Sequence, residues 1–455
     1  MRSFAFKTRY YYWFFSSFIR KYGRIIIPVF IGVFLLFILF RSFGDRLLFN
    51  LNFTKRRIGL VVTGDRSRLP QEILPLISSP IVIFDEKGQV KPMLASSWES
   101  RLDGQEFIFH FQKNLVWSDG NAFTTADLDT TLFSFNGMVT VKPIDSYSVS
   151  FKFQNQLANF PSLLTTPLLK NNFIGISGNY KVGHIKAEFG EMRQIDLTPL
   201  VSGLSPLVYK LYNTNDEAIL AYKMAEIDTF DTQDAQTAQL FENWRNTKVS
   251  SVFDFHRIVT MFINTQKAPF DNKNLRQALS YGINYSKLEK FVQRAHSPIL
   301  PFSFAFNEGI KTYAFEPEIA KSLVDKNNAT GKKITMYASY ELNEIVDEFT
   351  KSFKEIGLVV DARYTGYIPT NYDMFLTVWE PNIDPDQYVF WHQTQKTGNI
   401  SNMKNVRIDK LLEDGRKEMS QTKRRQIYAK FQELIAEEAP AVFLYFPKLY
   451  TINRR

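Results

Sequence analysis

The stretch from Leu94 to Leu132 constrains this chain more than any other, because its residues prescribe a strand, two chain reversals and a helix start in one short span. Phe107, Phe109 and Phe111 alternate with Ile108 and His110, the two-residue period of a strand. Asp103-Gly104 ahead of it and Ser118-Asp119-Gly120 behind it are the residue types that let a chain turn back. Thr124 and Thr125 then offer hydroxyls to the free amides of a helix expected to open at Ala126, with Asp127 in its electropositive first turn. Trp98 and Trp117, on either side of the strand, are expected as core aromatics.

Read whole, the order Trp, Asp-Gly, strand, Trp-Ser-Asp-Gly, Phe-Thr, Ala-Asp resembles the N-terminal signature of the family 5 extracellular solute-binding proteins, the peptide- and nickel-type receptors of ABC importers. Three later blocks agree in order. Asn264 to Ile283, NTQKAPFDNKNLRQALSYGI, resembles the family's second block. Pro298 to Leu323 is similar to its hinge-side loop and the following helix, and Asp384-Pro385-Asp386 through Tyr445 resembles its last block.

That resemblance implies an α/β, two-lobed fold of the type II periplasmic-binding-protein kind, whose lobes are joined by two hinge crossings and close on a solute. Carried over by block position, the crossings fall near Met261–Asn264 and Phe443–Phe446. Lobe one is then 58–261 with 444–455 returning to it, and lobe two is 262–443. The residues agree with mixed α/β architecture. Glu217 to Ala225 is expected as a short helix ahead of Glu226-Ile227-Asp228, which is similar to the family's Gly-Glu-Ile-Asp with Ala225 replacing glycine. Val346, Phe349, Phe353 and Ile356 fall on one helical face, with Gly357 at the C-cap position. Ile427, Phe431, Leu434 and Ile435 form another such stripe. Both are core faces.

Charge locates a different kind of segment. Residues 1–57 hold eleven Lys or Arg against one acid, whereas residues 58–455 hold 44 basic against 45 acidic residues. A near-neutral body argues against nucleic acid as a partner. The basic end surrounds sixteen uninterrupted apolar residues, Ile25 to Phe40, slightly short of a bilayer span but extensible where Arg24 and Arg41 snorkel. No small-x-small site follows, and the chain has no cysteine to carry a lipid. An uncleaved anchor is therefore preferred to its alternatives, a cleavable signal peptide or a buried helix. The expected order is a basic, aromatic-rich cytoplasmic tail (1–24), a transmembrane signal anchor (25–43) and a juxtamembrane linker (44–57). This makes a single-pass protein of the cell membrane, touching the bilayer through 25–43, with its soluble body on the extracytoplasmic side.

No chemistry marks an enzyme. The histidines at 110, 184, 256, 296 and 392 are scattered, and no GxSxG, HExxH or phosphate-cradling glycine loop is present. No catalytic residue, metal ligand or cofactor is assigned. Glu437-Glu438 is read as a solvated helix face and Asp384 as a turn cap before Pro385.

Ligand class turns on Val378 to Pro385. In peptide-binding members of the family an aspartate shortly before the Asp-Pro pair receives the peptide's α-amine, a buried charge that needs a paired carboxylate. Here that region is one residue shorter and presents Glu380, Pro381 and Asn382. The ligand-binding candidates are thus Trp379 for stacking, Glu380, Asn382 and Asp384 for polar contact, and Tyr445 at the second crossing. A core tryptophan and a buried strand tyrosine are the competing readings of Trp379 and Tyr445. The expected function is a membrane-anchored receptor that binds an oligopeptide or similar solute between its lobes and delivers it to an ABC permease. Two alternatives stand beside it, a tethered receptor-fold protein without a transport role (sensing or peptide chaperoning) and a hydrolase using unmarked carboxylates.

Overall fold

The computed structural model describes residues 55–128, 139–287 and 293–455, with a few single positions before residue 23. By internal contacts the chain divides into one unit of residues 1–56 with 205–207, and a second of 57–204 with 208–455, which forms the body of the protein. The expected anchor at 25–43, and the tail and most of the linker flanking it, lie outside the described residues. Among those that are described, no helix is long and apolar enough to cross a membrane.

The body is mixed α/β, built on two large sheets and a smaller module. The first sheet has seven strands, in the spatial order Tyr180–Glu188, Glu191–Pro199, Leu207–Tyr212, Arg56–Val61, Thr229–Thr232, Lys448–Arg454, Thr247–Phe253. Helices Asn215–Lys223 and Ala235–Glu242 pack on it through Tyr222, Phe230, Phe241 and Ile452. The expected Glu217–Ala225 helix thus starts and stops two residues earlier, and Ala225 follows it at φ 59°. That left-handed backbone suits glycine. It is held here because the Arg57 guanidinium donates to the Ala225 carbonyl (2.8 Å) while also gripping Asp228 (2.6 Å).

The second sheet has six strands, in the order Gln293–Arg294, Ala441–Phe446, Ile258–Ile263, Met374–Trp379, Lys333–Ala338, Val359–Tyr364. Both faces of its centre are covered, so Ile258–Ile263 is buried at every position. Val259, Met261 and Ile263 face helices Lys273–Gly282, Pro317–Lys326 and Asn343–Glu355, while Ile258 and Phe262 face the side of Tyr428, Phe431 and Ile435. The last three come from helix Gln421–Glu438.

The stretch from Leu94 to Leu132 builds the third part. Strands Ala95–Arg101, Glu106–Phe111, Ser148–Phe153 and Val139–Asp145 pair antiparallel in that spatial order around Phe107, Phe109, Phe151 and Phe160. Trp117 is buried, and its indole donates to Asp127 (3.3 Å), which also accepts from the Thr124 amide (2.8 Å). The helix expected at Ala126 begins as a single 3-10 turn, Thr125–Asp127, closed by a Thr124/Asp127 capping box. Residues 129–138 beyond it are not among those described.

The crossings between the large sheets fall at 254–257 and at Pro447, not at 261–264 and 443–446. Strands Ile258–Ile263 and Ala441–Phe446 belong wholly to the second sheet, whereas Thr247–Phe253 and Lys448–Arg454 belong to the first. Lobe one therefore ends at Phe253 and resumes at Lys448. The two crossings lie side by side, for the Asp254 amide donates to the Pro447 carbonyl (2.8 Å).

Candidate functional site

A cleft of about 560 Å3 opens where the crossings separate the two sheets. Lobe one lines it with Asp234, the helix Ala235–Glu242 and the start of the returning strand, Lys448 and Tyr450. Lobe two contributes Val259 and Val378 from neighbouring strands, Lys287, and the segment from Glu341 to Glu348 at the opening of its Asn343–Glu355 helix. Pro447, the second crossing, completes the wall.

Tyr445 reaches the cleft through a bulge. In strict alternation it would share the face of Phe443, but the register slips between the Val259–Tyr445 and Thr260–Phe443 pairs. Leu444 and Tyr445 consequently pack into the same core as Val259, and Tyr445 lines the cleft. Re-aiming one side chain is a recurrent use of bulges.

The lining is charged and unevenly so. Asp234 caps its helix, accepting from the Gln236 amide (3.0 Å) and the Thr237 amide (3.1 Å). Glu348 is paired with Lys287 (2.5 Å). Glu242 in lobe one and Glu341 in lobe two have no ion-pair partner among the described residues, and neither has Lys448. No histidine is among the lining residues.

The first crossing carries its own ion pairs. Asp254 accepts from Arg257 (2.6 Å) and lies 3.7 Å from the His256 ring. The neighbouring His256 imidazole, then Arg257, hold the Asp254 carboxyl down at about 2 against the pull of burial. The Asp254 carboxylate in turn raises the His256 imidazole above its ordinary value. A lowered acid stabilises above its unfolded value and loses that contribution as pH falls; a raised base stabilises below its unfolded value and loses it as pH rises through the folded one. The pair is thus fully formed between about pH 4 and about pH 6.5. The melting temperature of the unaltered protein should exceed that of His256→Gln in this window, and the gap should shrink as pH rises through the raised value of His256; a gap independent of pH, measured by calorimetry, would refute the pairing.

Of the five residues picked out in the sequence, Tyr445 lines the cleft and the other four do not. Trp379 is buried against Phe262, Phe390, Trp391 and Phe443, on the opposite face of the sheet from Val378. Its assignment as a stacking platform is therefore corrected to a core residue. Glu380 is exposed and contributes to the field at His256. Asn382 is exposed and donates to the Asp386 carbonyl (3.3 Å). Asp384 is buried in an ion pair with Arg424 (2.7 Å) and accepts the Asp386 amide (3.0 Å), so the turn-cap reading holds. Glu438, read as solvated, instead pairs with the buried Arg276 (3.2 Å).

Asp386 makes a second junction between lobes. Its carboxylate accepts from Arg416 (2.8 Å) and from the side chain of Asn159 (2.8 Å), while the Ala158 amide donates to the Arg416 carbonyl (2.7 Å). Asn159 belongs to the module after Leu94, and Asp386 and Arg416 to lobe two, so the lobes are held together here as well as at the hinge. Close approach also explains Gly88, at φ 65°, where an added Cβ would stand 2.6 Å from the Phe302 carbonyl.

Apart from Tyr445, the residues that line the cleft were missed because they come from six separated segments, and none forms a local motif. The one signal present was the Asp234-Ala235 start of a helix, a pattern that by itself says only where a helix begins.

Known proteins share this outline. Residues 199–401 match the model of the bacterial extracellular solute-binding proteins, family 5, middle region. The oligopeptide-binding protein AppA of Bacillus subtilis is 23% identical over 89% of this chain and 85% of its own length. Its solved structure in complex with a nonapeptide aligns with a TM-score of 0.68 at 20% identity, covering 88% of this chain and 94% of that one. NikZ of Campylobacter jejuni, in complex with Ni(L-His), aligns with a TM-score of 0.73 at 19% identity over 88% and 94% of the two chains.

Proposed function

Because this chain belongs to the family 5 extracellular solute-binding proteins, we propose that it is a membrane-tethered receptor for a short peptide, held by residues 25–43 with the body outside the cytoplasm and handing its solute to an ABC permease. It is a binding protein and not an enzyme, as its relatives are. The solute is bound between the lobes.

One observation carries the peptide reading. The cleft offers a carboxylate from each lobe, Glu242 and Glu341, and an ammonium at the hinge, Lys448. A zwitterion with an amine at one end and a carboxylate at the other finds an opposite charge for each end in that set, and its charges would hold the lobes closed because only the closed form supplies both sets of contacts. The volume lies in the range of small-ligand clefts. A metal chelate such as NikZ's is the less fitting solute, since no histidine lines the cleft and no metal-ligating cluster occurs among the described residues.

The apolar run Ile25–Phe40 and the basic flanks support the tether. Native mass spectrometry of the full chain extracted from membranes should show a copurified peptide lost on Tyr445→Ala. A chain that remains empty through purification and against a peptide library would sink the reading. Protease added to intact cells should remove the body, and full protection would reverse the orientation.

A further inference from the structure

We propose that the solute carries a net positive charge: a short peptide with one lysine or arginine side chain in addition to its α-amine. This rests on the peptide reading above. Among the described residues the cleft is lined by four carboxylates, Asp234, Glu242, Glu341 and Glu348, and two ammonium groups, Lys287 and Lys448.

The bonds already made divide these six groups. Asp234 is committed to the amides that open its helix, and Glu348 to Lys287. Glu242, Glu341 and Lys448 remain without an ion-pair partner among the described residues. The Lys448 ammonium instead lies over the Phe253 ring, 5.2 Å from its centre. A peptide zwitterion brings one ammonium and one carboxylate. Lys448 meets the carboxylate and one glutamate meets the α-amine. The other glutamate is left facing the ligand with no counter-charge, and lobe closure removes part of the water that had screened it.

A basic side chain completes the pairing. Its methylene stem also has a place to lie, for Val259, Val378, Leu342 and Ile345 wall the same cleft. Long cationic side chains bury such stems along apolar surface while the charged end reaches a polar group. A neutral peptide leaves one carboxylate unmatched. An acidic one sets a third negative charge against the two glutamates, and like charges in register disfavour binding.

The test uses three tripeptides, Ala-Lys-Ala, Ala-Ala-Ala and Ala-Glu-Ala, titrated calorimetrically into the full detergent-solubilised chain at low and high salt. Ala-Lys-Ala should bind about fivefold or more tighter than Ala-Ala-Ala, with Ala-Glu-Ala weakest, and the spread should narrow at high salt. In the Glu242→Gln, Glu341→Gln double variant the advantage of Ala-Lys-Ala should vanish. Binding of all three with equal affinity, or a preference for Ala-Glu-Ala, would overturn the charge assignment while leaving the peptide reading intact. Failure of all three to bind would overturn both.

Discussion

Arg424→Met should lower the free energy of unfolding by about 3–5 kcal/mol, because removing one partner of a buried ion pair leaves the other charge uncompensated. Arg424 is 7% exposed and Asp384 6% exposed, with the guanidinium Nη2 2.7 Å from one carboxylate oxygen and Nη1 3.3 Å from the other. Arg424 also donates through Nε to the Gly415 carbonyl (3.1 Å) and lies beside the Phe304 and Tyr428 rings. The charge of Asp384 raises the pKa of Arg424 further, against the opposing pull of burial, so the cation is never given up in the working range. With Met in its place, Asp384 must be protonated, must draw in water, or must unfold its surroundings. Urea unfolding followed by tryptophan fluorescence should show the loss, and Arg424→Met combined with Asp384→Asn should recover a good part of it. A single variant within about 1 kcal/mol of the parent would mean the pair is far more solvated than its burial indicates.

Trp379→Ala should cost about 3–5 kcal/mol of stability, the range for truncating a large buried aromatic, and leave ligand affinity nearly unchanged at temperatures where the variant is folded. The ring is 5% exposed and makes edge contacts with Phe262, Phe390 and Trp391 at centroid distances of 5.7, 5.2 and 6.0 Å. Its indole nitrogen has no hydrogen-bond partner among the described residues. Paired measurements of urea midpoint and calorimetric affinity decide the matter. A large affinity loss with an unchanged midpoint would return Trp379 to the cleft.

The contrast between Trp379 and Tyr445 shows where sequence reasoning carried and where it stopped. Both are aromatic residues in apolar strands next to a crossing. Which face each occupies depends on strand register and on the slip between Val259 and Thr260, a property of paired strands that no single segment contains. The crossings were displaced for a related reason. Ile258–Ile263 and Ala441–Phe446 are buried throughout, so polarity does not alternate along them and the sequence carries no mark of where one sheet ends.

The acids went the other way. Asp384 stood out as a candidate ligand group because its partner, Arg424, follows 40 residues later on a separate helix. What local chemistry governs was legible: the Trp117–Thr124–Asp127 network, the positive φ of 97° at Gly357 after its helix, and the core stripe of Val346, Phe349, Phe353 and Ile356. Cleft composition was not, since Asp234, Lys287, Glu341 and Lys448 meet only once both sheets exist.

The strand Lys448–Arg454 is flanked on both sides, by Thr229–Thr232 and by Thr247–Phe253, in antiparallel register. Those two neighbours have no direct ladder to each other, so lobe one lacks an interior member of its sheet until the ribosome has passed through the whole of lobe two. Helices and hairpins of the earlier segments can form in the meantime, but the cluster that Ile452 shares with Tyr222, Phe230 and Phe241 stays incomplete, and contacts of such large sequence separation form slowly. Lobe two, whose strands are all synthesised by Phe446, can be complete while lobe one still waits for its missing strand. A chain cut just ahead of Lys448 should therefore yield one finished lobe beside a half-finished one and not a merely shortened receptor.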